Sequence, residues 1–317
     1  MKMMKKVFAV VLCLAMALTL VACGGGTNLR FSTGGETGTY FAYGGVLSQY
    51  VSSNSDVKIT HVSSNGSQAN IEDVASGGAQ LGFVQSDVMS YAYEGKSLFD
   101  APVEGFSTLA ALYMEQVQII TLNPEIKTVA DLEGKTVSIG AAGSGVYFNA
   151  MDVLGAYGLT EEDIKPVFQN FGDSVESLQD GKIDAAFIVA GAPTNAVMSL
   201  TTTGQVYLVS MDAEHIASLI ETSPYYKEAT IPADVYGTPE DVQTVAIQAV
   251  VIVADSVDED TVYTITSTIF ENLEAIGEQH AKGKEASVEF GASVTGVPYH
   301  AGAAKYFAEK GFTVPTK

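Results

Sequence analysis

Five short clusters in this 317-residue chain bring together hydroxyl, amide, carboxylate or phenol side chains, most of them beside glycine or proline. They are Thr37-Gly38-Thr39-Tyr40, Ser64-Asn65 with Ser67, Gln85-Ser86-Asp87, Ser144-Gly145-Val146-Tyr147, and Gly191 with Pro193 and Thr194. Residues of these types suit recognition more than bond-making. Glycine lets backbone approach a ligand, N–H groups and hydroxyls satisfy a polar or anionic group, and Asp87 is placed to pair with a ligand ammonium. Tyr40 and Tyr147 stand at corresponding points of their clusters and are expected to sandwich a ligand.

Catalytic constellations are missing from the sequence. His61, His215, His280 and His300 form neither HxxxH nor HExxH, so no metal is expected. Ser144 lies between glycines, yet Ala142 and Val146 occupy the outer positions where a G-x-S-x-G elbow needs glycine. Neither glycine turn fits G-x-G-x-x-G or a P-loop, which argues against nucleotides, and no cofactor is expected. The chain reads as a binding protein, not an enzyme.

The clusters recur because the chain repeats itself. Gly38-Thr39-Tyr40-Phe41 follows the strand-like Leu29–Ser32, and Gly145-Val146-Tyr147-Phe148 follows Thr136–Ile139. Further on, Ile71-Glu72-x-Val74-x-x-Gly77 leads into Leu81-Gly82-Phe83-Val84, and Val175-Glu176-x-Leu178-x-x-Gly181 leads into Ala185-Ala186-Phe187-Ile188. Tyr147, Ala150, Met151 and Leu154 have the spacing of an apolar helix face. Thr128–Asp131 and Thr160–Asp163 read as capping boxes with aspartate as the acid, and Gly77 and Gly181 as left-handed helix caps. Alternating helices and strands imply α/β lobes with largely parallel sheets and ligands beyond the strands' carboxyl ends. One lobe is expected at 29–121 plus 250–317 and the other at 122–249, joined by crossing strands at 116–122 and 243–253.

The first residues carry an address. Lys2, Lys5 and Lys6 precede an apolar run from Val7 to Leu20, then Leu20-Val21-Ala22-Cys23 and three glycines. That pattern reads as a lipoprotein signal peptide over 1–22, a lipidated Cys23 and a tether over 23–28. The 14-residue run is shorter than the roughly 17–25 residues of a spanning helix. The mature chain is therefore expected outside the cytoplasm, anchored to the cell membrane through Cys23. Without Lys2, Lys5 and Lys6 the 16 basic residues become 13 against 37 acidic ones, a net charge of −24 that excludes nucleic acid as partner. Arg30 is the sole arginine, so an anionic ligand must be held by backbone dipoles instead of guanidinium.

Taken in order, Ser32-Thr33-Gly34-Gly35-x-Thr37-Gly38-x-Tyr40, Gly66-Ser67-x-x-Asn70, Phe83–Asp87, Gly143-Ser144-Gly145 and Tyr299-His300-x-Gly302-Ala303-x-Lys305-Tyr306 resemble the TAXI family of solute receptors. These serve tripartite ATP-independent periplasmic (TRAP) transporters, and the resemblance spans essentially the whole mature chain. It implies a two-lobed periplasmic-binding-protein (type II) fold with two crossing strands as hinge. It also implies a small carboxylate or amino-acid ligand, glutamate- or glutamine-like, delivered to ion-gradient-driven TRAP membrane subunits. One departure stands out: Tyr147 occupies a position where the family often carries arginine. The alternatives are a ligand-sensing surface lipoprotein not coupled to uptake, or an enzyme on the same fold.

Overall fold

The computed structural model describes residues 28–317, so the expected signal peptide and Cys23 lie outside the described residues. Strand β1 (Asn28–Ser32) leads through helix α1 (Thr39–Asn54) to β2 (Lys58–Val62), and α2 (Ser67–Ala75) returns to β3 (Leu81–Gln85). Helix α3 (Ser86–Glu94) and the long strand β4 (Phe106–Thr121) follow. The same unit then recurs as β5 (Thr136–Ser138), α4 (Gly145–Ala156), β6 (Lys165–Val167), α5 (Phe171–Gln179) and β7 (Ala185–Ala190). Next come α6 (Asn195–Thr201), β8 (Tyr207–Leu208), α7 (Ala213–Thr222), β9 (Lys227–Ile231), α8 (Ala233–Tyr236) and β10 (Val242–Ala254). Helices α9 (Glu259–Phe270), α10 (Leu273–Gln279), α11 (Val288–Gly291) and α12 (Ala301–Glu309) complete the chain.

The strands run in the order β2-β1-β3-β10-β4-β7-β5-β6. Strand β1 is parallel to β2 and β3, and β5 is parallel to β6 and β7. Each trio is flanked by one long antiparallel strand, β10 beside β3 and β4 beside β7. The two halves are thus copies of one topology, the two-lobed α/β arrangement with two crossing strands. Strand β4 pairs with β10 over Phe106–Gln116 and with β7 over Gln116–Thr121, so its partner changes at Gln116.

Burial explains the composition of these strands. All five residues of β3 and all six of β7 are buried, because helices cover both faces, and their sequences are correspondingly apolar. One hydrophobic cluster draws on residues between Leu29 and Tyr113 and between Ala249 and Phe307, with Phe148 the sole contribution from elsewhere. Two further clusters draw only on residues between Val117 and Ile247. Local signals hold as well. Asp131 and Asp163 accept from the N–H groups of Thr128 and Thr160 at 2.8 Å, and Gly77 and Gly181 have φ of 82° and 66°. Among the described residues no helix is long and apolar enough to cross a membrane.

Asn70 on α2 holds the carboxyl ends of β1 and β3 together. Its fully buried amide donates to the Thr33 carbonyl at 2.7 Å and the Phe83 carbonyl at 2.6 Å. Asn70→Ala is expected to lower unfolding stability by about 2–4 kcal/mol, since two buried acceptors lose their donor. Urea denaturation checks this, and a loss below about 0.5 kcal/mol would mean that water replaces the amide.

Candidate functional site

Three helices begin at the space between the halves: α1 after Gly38, α2 after Gly66 and α4 after Ser144. None of the three has a side-chain cap, whereas α5, α7 and α9 are capped by Asn170, Asp212 and Asp258. Their first N–H groups carry the positive end of the helix dipole. Between them lies a cavity within which a water centre can range over about 60 Å³, enough for several ordered waters or a small ligand. The first half lines it with Gly34, Gly35, Gly38, Thr39, Tyr40, Ser64, Asn65, Gly66, Ser67 and Gln85, and β4 adds Tyr113 and Glu115. The second half supplies Ala141, Ser144, Gly145, Val146, Asn170, Phe171, Val189 and Ala190.

Five lining side chains present buried polar atoms with no partner: Tyr40 Oη, Gln85 Oε1, Tyr113 Oη, Glu115 Oε1 and Ser144 Oγ. An unpaired buried polar atom costs about 1–3 kcal/mol, so five around one cavity mark a place built to be filled. Glu115 is only 1 % exposed, and burial pushes its carboxyl well above the usual range. The nearby Tyr40 hydroxyl and Gln85 amide pull the other way, as does Lys282, while Asp87 adds to the rise. Burial, with Glu115 beside it, likewise raises the Tyr40 and Tyr113 phenols. No lysine, arginine or histidine lines the cavity.

The sequence clusters reach this cavity unevenly. Gly38, Thr39, Tyr40, Ser64, Asn65, Ser67, Gln85, Ser144, Gly145 and Val146 line it, and Thr37 lines an adjoining groove. Tyr147 does not. Its hydroxyl donates to Glu161 at 2.7 Å and its ring packs beside Phe168. The cap residues show why: α1 starts after Gly38 but α4 after Ser144, so Tyr40 corresponds to Val146, and a further step of about 100° carries residue 147 off the cavity face. The Tyr40–Tyr147 sandwich is therefore absent. Ser86 and Asp87 are buried behind the cavity, Pro193 is exposed, and Thr194 is fully buried, where it accepts from Gln118 at 3.0 Å. Gly191 packs against Lys282 and Tyr113, and its carbonyl accepts from Thr39 Oγ1 at 3.2 Å.

Sequence reasoning missed Glu115, Tyr113 and the Asn170–Phe171 wall. A signal for Glu115 existed: it is the only charged residue between Phe106 and Thr121, in a strand otherwise suited to burial. The carboxylate facing the cavity is Glu115, not Asp87.

Asp87 instead joins the halves beside the cavity. Its Oδ2 accepts from Asn149 Nδ2 at 2.9 Å; that amide also donates to Tyr226 Oη at 2.8 Å, and the Tyr226 hydroxyl donates to Asp152 at 3.0 Å. Burial, with Asp152 adding like-charge repulsion, pushes the Asp87 carboxyl up to about 8, and burial pushes Asp152 to about 6. Tyr91 and Ser223 share a hydrogen bond of 2.9 Å, the Ala69 N–H donates to the Gly143 carbonyl at 3.0 Å, and the Phe148 ring stacks near Phe99 at 5.7 Å. The halves are closed on each other.

A model of the NMT1-like family matches residues 31–311. Among solved structures, the periplasmic aliphatic sulphonate binding protein of Escherichia coli is 18% identical, with TM-score 0.50, over 89% of this chain and 83% of that one. An L-cystine ABC transporter protein, described as putative, from Listeria monocytogenes is 13% identical, with TM-score 0.53, over 82% and 97%. The GluR0 ligand-binding core from Nostoc punctiforme in complex with L-glutamate is 13% identical, with TM-score 0.50, over 80% and 96%. At these identities the likeness is one of fold.

Two outcomes follow from the geometry. A Cβ on Gly145 would overlap Gln85 Oε1 and lie 2.6 Å from Ser67 Oγ, yet Gly145 lacks the positive φ that would bar alanine. Gly145→Ala should keep the fold, hold the halves apart and weaken ligand binding roughly tenfold or more; titration calorimetry giving parental affinity would refute the close contact. For Asp87, the folded state holds a proton between about 4 and about 8 that the unfolded chain has released, so its share of stability falls as pH rises through that window. Asp87→Asn should flatten this fall, read as urea midpoints at about pH 5 and about pH 8.5; equal slopes in both proteins would exclude Asp87 as its source.

Proposed function

From the premise that this chain belongs to the NMT1-like family, we propose that it is an extracytoplasmic solute receptor that closes around one small amino acid or carboxylate. The observation that carries this reading is the cavity between the halves, where five unpartnered buried polar atoms meet three uncapped helix N-termini. The N-termini suit a carboxylate, in keeping with a chain whose cavity offers it no cationic side chain. Ligand contacts are assigned to Gly38, Thr39, Tyr40, Ser64, Asn65, Ser67 and Gln85 from one side and to Ser144, Gly145 and Val146 from the other. A glutamate- or glutamine-like ligand is favoured.

The lobes comprise 29–121 with 250–317, and 122–249, a division that the separate hydrophobic clusters support except at 117–121, where Val117, Ile119 and Ile120 pack with the second half. They move about β4 and β10, opening to admit the ligand and closing to remove it from water. Cys23 anchors the receptor to the membrane by lipid. The ordered TAXI motifs favour delivery to a TRAP-type carrier driven by an ion gradient. Action by binding instead of turnover is supported by the solute-binding descriptions of the similar structures.

The test is thermal unfolding of the mature protein with amino acids, dicarboxylates and keto acids. A true ligand at 100 times its dissociation constant adds about 2.7 kcal/mol of stability. Solution scattering with that ligand should show contraction, and superimposable profiles would rule out clamshell closure. In cells, uptake of the ligand should stop with an ionophore and survive ATP depletion; the reverse would exclude the TRAP assignment.

A further inference from the structure

The solute-receptor reading leaves open which chemical group selects the ligand. Building on it, we infer that Glu115 is the receptor for a primary ammonium, so that the protein takes amino acids and rejects their deaminated counterparts. The argument starts from the unpartnered atoms. Glu115 Oε1 and Gln85 Oε1 are acceptors, and the hydroxyls of Tyr40, Tyr113 and Ser144 can each accept. A carboxylate ligand alone would bring only further acceptors to Glu115 Oε1 and Gln85 Oε1. An ammonium brings three N–H donors and a positive charge, which is the complement of a carboxylate, an amide oxygen and hydroxyls.

Charge points the same way. The titratable groups facing Glu115 are Tyr40 from α1, Tyr113 on its own strand, Asp87 from α3 and Lys282 from the segment before α11. Lys282 does not neutralise Glu115. Its Nζ is 2.5 Å from Glu285, with which it pairs, and 5.8 Å from the centre of the Tyr113 ring, and Lys282 is not among the residues that line the cavity. The cavity therefore holds an acid and no base, with Tyr40, Tyr113 and Phe171 in its lining. A ligand ammonium on Glu115 leaves the ligand's carboxylate to the N-termini of α1 and α4, and its side chain to Val146 and Phe171.

Glu115 also sits one residue from the point where β4 changes partner, paired with Ile247 of β10. A cation bound to Glu115 would therefore act beside the crossing strands.

The experiment compares matched pairs on the mature protein: L-glutamate with glutarate, L-aspartate with succinate, L-glutamine with glutaramate and L-leucine with isocaproate. Affinity is measured by calorimetry. Expected are binding by at least one amino member and loss of about 100-fold or more in its deaminated partner. Glu115→Gln keeps the shape, removes the charge, and should lose a similar factor for the amino member while changing the affinity of the deaminated member little; circular dichroism verifies its fold. Deaminated members binding as tightly as amino ones, or Glu115→Gln binding the amino member with parental affinity, overturn the ammonium assignment and leave the receptor reading intact. If no member of any pair binds, both fall.

Discussion

Because β4 hydrogen-bonds to β10 over Phe106–Gln116 and then to β7 over Gln116–Thr121, one strand is internal to both sheets. Neither half can complete its sheet without backbone supplied by a strand that continues into the other. That sharing fixes where two otherwise similar halves meet, and it puts the carboxyl ends of β1, β3 and β7, with the turn after β5, around one space. The cavity is a result of this geometry before any side chain is considered. The side chains then decide what it can hold.

Their chemistry resolves a tension in the composition. A net charge of −21 repels anions at long range, yet a helix N-terminus attracts them at short range. A zwitterion escapes the conflict, since it carries no net charge to be repelled and still presents a carboxylate to the α1, α2 and α4 termini. Gly145 has a part in the same balance: with Gln85 Oε1 and Ser67 Oγ packed where a Cβ would stand, backbone from the second half comes as close to the first as atoms allow. Water has little room to dilute the dipoles there.

Much of this was legible in the sequence. The repeat, both capping boxes, the left-handed glycines and the crossing strands are local or periodic features, and they appear where their residues predict them. The errors have a common physical origin in the start of α4. Reading Gly38 and Gly145 as equivalent shifted the register by one residue, which turned Tyr147 inward and rotated the apolar face: Val146, Ala150 and Val153 are buried, while Tyr147 and Met151 are half-buried. Glu115 was hidden for a different reason. Strand position says which residues are inside but not whether inside means core or cavity, and Asp87 drew attention because it stands at a helix start. Asp87 proved to be committed to Asn149.

The Phe148 ring, carried by α4, lies in the hydrophobic cluster of the opposite half, stacked near Phe99 and Tyr91 and 2 % exposed. Parting the halves would return that ring to water at a cost of about 1.5–3 kcal/mol, whether or not the cavity is filled. Shutting is thus partly driven by apolar burial that the occupant of the cavity does not supply. The ring works as an aromatic clasp, and reopening must peel it from the opposite half before anything can leave the space between them.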